Sequence, residues 1–256
     1  MSTVDASPRN NGRGSEAWSR SWTHLNIDRR TPSHCRVTFD HPPINTITAM
    51  TVAELVELVG LIEQDHDLNV VVFDSANPYF YLAHYDTEHD PGRTSAPPAG
   101  PTGRHAWLDL LVRLSRTPVV SIASIRGRVR GAGSEFVLAC DLRFASRENA
   151  LLGQFEVGTG AVPGGGPVAR LSRLVGRGRA LEILLVAEDL DGPRAEQYGY
   201  VNRVIADARL DDEVEGIASR LARLHHDAIA RTKSYVDQVT RPTPGPAGSR
   251  RWGAPS

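Results

Sequence analysis

Cysteine is scarce: Cys35 and Cys140 are the only two in 256 residues and lie far apart, so a disulfide scaffold is excluded and both read as reduced core thiols. Nothing beside either thiol marks it as reactive. No apolar run reaches the roughly 18 to 20 residues that a spanning helix needs, and the start of the chain lacks the basic, apolar and small-residue succession of a secretory leader. A cytoplasmic address is the default expectation. A formal net charge of −1 gives no general pull toward nucleic acid or an anionic membrane. Lysine is almost missing, with Lys233 the sole example. Arginine carries the positive charge, a bias that reflects genome composition more simply than chemistry, although guanidinium also suits phosphate. What remains is ordinary for a soluble globular chain, with 40% apolar and 23% charged residues, which rules out disorder throughout and a collagen-like fibre.

The first 20 residues are polar and unpatterned and read as a tail. Residues 22–27 and 35–39 alternate as paired strands, with 28–32 as their connection. Thr51, Val52, Ala53 and Glu54 fit a capping box, and Val52, Leu55, Val56, Val59 and Ile62 follow at helical spacing to about residue 65. A buried strand at 70–73 completes a strand, helix, strand succession that favours α/β layers. Residues 77–104 turn to Pro, Gly, His, Asp and Thr and read as a long binding or lid loop, or as disordered. A helix at 105–115 and a strand at 119–125 lead into the glycine-rich turn RGRVRGAG and a helix at 134–140. Short strands follow at 142–145 and 150–152. Beyond a second glycine-rich loop, VGTGAVPGGGP, the pattern is helical to the end, in segments 168–175, 179–187, 194–198, 210–224 and 228–239. Residues 241–256 read as a second tail, and neither a repeat nor a linker divides the middle.

Small residues at Gly131, Ala132 and Gly133 let a ligand approach the main chain where the next helix presents its positive end, a place for an anion or a developing oxyanion. For an isolated G-x-G, tight strand-helix packing is the commoner explanation. Phe136 stands where a dinucleotide fingerprint needs glycine, no G-K-[ST] occurs, and Ala132 and Phe136 exclude a nucleophile elbow at Ser134. Glu135 and Glu156 each sit in apolar surroundings beside a glycine-rich loop, a placement that raises proton affinity and suits acid-base work. Either alone also fits a paired structural carboxylate. His84, Asp86, Glu88, His89 and Asp90 offer metal-type donors, but their spacing matches no zincin pattern and no metal is expected. Arg126, Arg128 and Arg130 alternate on one extended face, for ion pairing or phosphate. His225 and His226 are explained by a helix end.

The ordered features together resemble the crotonase superfamily, the enoyl-CoA hydratase and isomerase family, from about Cys35 to Val239. SIASIRGRVRGAGSEFVLACDLRFAS is similar to the family's strand, N-G-x-x-x-G-G-G, helix and C-D-x-x-x-A. ALLGQFEVGTGAVPGGGPVARLSRLVGRGRALEILL is similar to its F-G-x-P-E-x-x-x-G-x-x-P-G-x-G-G-x-x-R-L segment and following helix. The resemblance implies a ββα spiral core over residues 21–205 with C-terminal helices at 206–240, a helical region shortened relative to the family. It puts the two oxyanion-hole amides on His84, in FYLAHYD, and on Ala132, and the two acid-base glutamates on Glu135 and Glu156. Ala83, Tyr85, Gly131, Gly133 and Gly164 then fall against the substrate. Ala83 stands where the family has glycine, Tyr85 where it has aspartate, and Phe155 where it has proline.

The implied activity is syn hydration of a 2-enoyl thioester, or the reverse dehydration. No cofactor is needed beyond the coenzyme A of the substrate, and a carrier-protein thioester would present the same reactive end. An isomerase, decarboxylase or specialised biosynthetic member using one carboxylate, and a non-catalytic thioester-binding subunit, remain open. A homotrimer or hexamer is the implied assembly, with neither nucleic acid nor membrane as partner.

Overall fold

The computed structural model describes residues 18–86 and 97–240. Most of both expected tails therefore lies outside the described residues, as do Glu88, His89 and Asp90. The chain opens with an antiparallel pair, β1 (Leu25–Thr31) and β2 (His34–Phe39), and helix α1 (Ala49–Gln64). Three strand-strand-helix turns follow: β3 (Val70–Ser75), β4 (Phe80–Leu82) and α2 (Ala106–Leu114); β5 (Val120–Ile125), β6 (Arg128–Arg130) and α3 (Ala132–Ala139); β7 (Leu142–Ser146), β8 (Leu151–Gly153) and α4 (Pro167–Leu174). Then come α5 (Arg177–Val186), β9 (Leu190–Asp191), α6 (Gly192–Tyr198), β10 (Arg203–Ile205), α7 (Leu210–Ala222) and α8 (His226–Thr240).

Each turn of the spiral gives its first strand to one sheet and its second to another. The larger sheet has the order β1-β2-β3-β5-β7-β10, parallel from β2 onward; the smaller is β4-β6-β8-β9, parallel except for β9. The continuous Val70, Val71, Val72, Phe73 run is buried on both faces, as a central parallel strand requires. One face meets α1, through Val52, Leu55, Val59 and Ile62; the other meets α7, through Leu210, Val214 and Ala218. Burying each large aliphatic side chain contributes about 1.5–3 kcal/mol. Phe136 of α3 packs edge-on to Phe39 and Phe73, with ring centroids 5.3 and 5.0 Å apart, which pins the start of α3 to the core. Lys233 ties α8 down, its ammonium donating to Asp141 Oδ2 at 2.6 Å and Val119 O at 2.8 Å.

Several expectations need correction. The first strand begins at Leu25 rather than 22 and runs through 28–31, leaving only Pro32 and Ser33 as the turn. The cap of α1 is Thr48, with Thr51 as its reciprocal partner, so the box lies three residues earlier than the 51–54 pattern suggests. The stretch 77–104 contains β4, too short to leave a periodic signature. The chain after the second glycine loop is not wholly helical: β9 and β10 interrupt it because they complete the two sheets at an edge, where two or three residues suffice. His226 begins a helix, bonding Asn69 Oδ1 at 3.1 Å, instead of ending one. Both cysteines are buried thiols, pushed up to about 12 by burial. Among the described residues no helix is long and apolar enough to cross a membrane.

Candidate active site

The smaller sheet delivers two loops to one place. After β4, the segment 83–86 lies against residues 45–47: Ile47 N donates to His84 O at 2.8 Å and Asp86 N to Ile47 O at 2.9 Å. Asn45 braces the strand that leads into it, its side-chain amide donating to Tyr81 O at 3.1 Å and to Ser75 Oγ at 2.8 Å while its backbone carbonyl accepts from Ala83 N at 3.3 Å. Ala83 and Tyr85 are buried by the same packing. After β6, Gly131 turns the chain with φ 51° and ψ −121°, a conformation that L side chains rarely adopt. A Cβ there would stand 2.9 Å from the Phe155 ring and 3.2 Å from Glu156 Oε1. At Gly133 a Cβ would overlap the carbonyl of Leu82, so the end of β4 passes directly against the first turn of α3. Among the described residues, neither the His84 N–H nor the Ala132 N–H has an acceptor in the backbone network. The Ala132 N–H also belongs to the first turn of α3, where the helix dipole favours negative charge.

Glu135 projects from that turn and is only 3% exposed. Its carboxylate is held from two sides: Trp107 Nε1 on α2 donates to Oε2 at 2.7 Å, and Gly165 N donates to Oε1 at 2.6 Å. A Cβ at residue 165 would overlap this carboxylate, so the glycine is what allows the main chain to reach it. Gly164 itself is exposed, with nothing within 4 Å of where its Cβ would be.

Glu156 opens the short 3-10 turn Glu156–Thr159 after β8. Burial raises its carboxyl to about 7, and the nearby Glu135 charge adds to the rise. The Gln154 amide, in the orientation that satisfies both its ends, donates to Glu156 Oε2 at 3.0 Å and Oε1 at 3.1 Å and accepts from Ser134 Oγ at 2.8 Å. Ser134 in turn bonds the hydroxyl of the fully buried Tyr200. Between the glutamates and the first loop stands Phe155, its ring edge-on to His84 at 5.9 Å. His84, Gly131, Glu135 and Glu156 are thus linked through direct contacts or a shared neighbour.

Trp107, Gly165, Gln154 and Tyr200 escaped the sequence analysis. A buried tryptophan needs an acceptor for its N–H, which is the one signal that could have drawn attention to Trp107. Two of the three alternating arginines are ion-paired, Arg126 to Asp207 at 2.9 Å and Asp211 at 3.0 Å and Arg130 bidentately to Asp189, whereas Arg128 lies over the Phe80 ring. Among the described residues no group of three His, Cys, Asp or Glu could hold a metal ion.

Residues 30–249 match the family described as enoyl-CoA hydratase/isomerase. A short-chain-enoyl-CoA hydratase of Clostridium acetobutylicum is 30% identical over 205 residues, covering 79% of this chain and 77% of that protein. A solved structure from Streptomyces avermitilis, assigned as an enoyl-CoA hydratase, is 44% identical with a TM-score of 0.83 over 88% of this chain and 81% of the other. Another, from Thermobifida fusca and solved in complex with CoA, is 25% identical with a TM-score of 0.73 over 92% and 91%. The ββα spiral, the two apposed loops and these likenesses make the chain a member of the enoyl-CoA hydratase/isomerase family, the crotonase superfamily.

Proposed function

We propose that the protein is an acyl-thioester lyase that adds water syn across a 2-enoyl thioester, or runs the reverse dehydration. The observation that carries this reading is the pair of carboxylates in unlike settings, Glu135 clamped by two N–H donors and Glu156 near neutrality at about 7. In hydration the thioester oxygen takes negative charge as water adds to the β-carbon. The His84 and Ala132 amides would donate to that oxygen, with the α3 dipole behind them. Glu135 would orient the water and take its proton; Glu156, partly protonated at neutral pH, would deliver a proton to the α-carbon. Both glutamates then act from one face, which gives syn addition. Neighbouring carboxylates titrate together, so the proton taken by Glu135 and the proton lost by Glu156 restore the pair by exchange through water.

The Thermobifida fusca structure holds CoA, which supports coenzyme A as the carrier. We also infer one catalytic core over residues 21–205 with appended helices at 206–240, assembled as a homotrimer or hexamer. Exposed Leu181, Leu185 and Val186 on α5 support that assembly, because a lone subunit would leave them in water. Light scattering at micromolar concentration should give at least three times the subunit mass.

The decisive assay follows the conjugated thioester absorbance of short and medium 2-enoyl-CoAs. Loss of absorbance with formation of the 3-hydroxyacyl thioester is expected. A 2-enoyl substrate that stays unchanged, or one converted to its 3-enoyl isomer with no 3-hydroxyacyl thioester formed, would overturn the hydratase reading.

A further inference from the structure

Gln154, Ser134 and Tyr200 form a buried chain that ends on Glu156, and its hydrogen atoms can be placed. An ionised Glu156 only accepts, so the Gln154 amide nitrogen must face it and the Gln154 oxygen must face Ser134. Ser134 then uses its one hydrogen on Gln154 and can only accept from Tyr200, whose hydroxyl also lies against the Gln154 amide. Every donor therefore points the same way, from Tyr200 to Ser134, Gln154 and Glu156. The reversed amide would instead put Nε2 3.4 Å from Gly131 O and bring its oxygen against the carboxyl, an arrangement that suits only a protonated Glu156.

We propose that Tyr200 is a positioning residue that, through Ser134 and Gln154, fixes the direction of the hydrogen bonds ending on Glu156 and so sets how tightly that glutamate holds its proton. This rests on the role of Glu156 as proton carrier given above. Tyr200 suits the terminal position because it is fully buried, and burial pushes its phenol up to about 12, so it keeps its proton at any working pH. Its place is fixed as well: Arg143 of β7 donates to its carbonyl at 3.0 Å and to the Cys140 carbonyl at 2.7 Å.

Other groups around this chain are few among the described residues. Glu135 faces Glu156 from α3 and raises it. His84 lies across the Phe155 ring, and Arg143 stands behind Tyr200. On α5, which packs on the 3-10 turn, Glu182 is engaged by Arg194 and Tyr198. None of them replaces a hydroxyl donor at Ser134.

The test is a titration of Glu156 by carbon-13 NMR on protein labelled at glutamate carboxyls, with Glu156→Gln assigning the resonance. Tyr200→Phe keeps the ring and removes the donor; the midpoint of Glu156 should rise by about half a pH unit or more, because the carboxylate form loses support. Ser134→Ala removes the other hydroxyl that supports the Gln154 oxygen and should also raise it, which keeps the test decisive should the phenylalanine variant fail to fold. An unmoved midpoint in a folded variant overturns the proposal and reduces Tyr200 to core packing. The titration needs no substrate, so it stands apart from the hydratase reading. Where hydration is measured, the limb of the pH-rate profile due to Glu156 should move up by the same amount.

Discussion

The backbone of Gly165 and the side chain of Glu135 occupy the same space to within a hydrogen bond: Gly165 N lies 2.6 Å from Oε1, and any Cβ at 165 would overlap the carboxylate. Gly165→Ala should therefore displace the carboxylate or the second glycine loop. Turnover is expected to fall by about 10²-fold or more, the scale of a misplaced catalytic group. Gly164→Ala is the control, since its Cβ would enter open space. Comparable losses in both variants would show that loop mobility, rather than Glu135, is at stake.

Glu135→Gln and Glu156→Gln keep shape and remove proton exchange. Each should lower hydration by about 10²- to 10⁴-fold, and the double variant should lose little beyond the worse single, because groups acting as a unit are not additive. Isomerisation through one base would spare one of the two variants. A thioester binder without turnover would show unchanged acyl-CoA affinity in all of them.

Ala132 tests the oxyanion turn. Ala132→Gly should be tolerated or slightly faster, whereas Ala132→Val should crowd the thioester oxygen and cut turnover by orders of magnitude. Thermal melts run in parallel separate this from overpacking, which by itself costs roughly 1 to 3 kcal/mol. A fully active valine variant would place the acyl group elsewhere.

Glu156 also makes stability depend on pH in a definite direction. Its carboxyl rises in the folded chain from an ordinary 4.5 to about 7, so the folded protein holds this proton more tightly than the unfolded one. The contribution is fully present below about 4.5 and is lost as pH climbs toward 7. Melting temperatures of wild type minus Glu156→Gln should accordingly decline across that window and level off above it. A difference that grows with pH would reverse the sign and place an unrecognised cation beside Glu156.

Legibility varied with the reach of the interaction. Helical spacing from Val52 to Ile62 and the Val70 to Phe73 run gave away α1 and β3, because their burial is periodic or continuous. Glu135 and Glu156 stood out through the glycine-rich segments beside them. Trp107 and Tyr200 did not, since each meets the site only after the spiral brings α2 and the turn after α6 alongside α3, at sequence separations of 28 and 66 residues. The short strands β4, β6, β9 and β10 were missed for a related reason: two or three residues carry no pattern, and their partners are strands elsewhere in the chain. Gly165 was legible as one of three consecutive glycines, but which of them meets Glu135 depends on backbone direction.

The lone lysine gives the fold a chemical reporter. Lys233 is 10% exposed at its side chain and holds Asp141 and Val119, so reagents that acylate primary amines find their only side-chain target docked against the sheet. Reaction there must wait for α8 to lift away. The rate of acylation at this one position, read by mass spectrometry, therefore reports the opening of the last helix, and its excess over the global unfolding rate is the share in which α8 undocks alone.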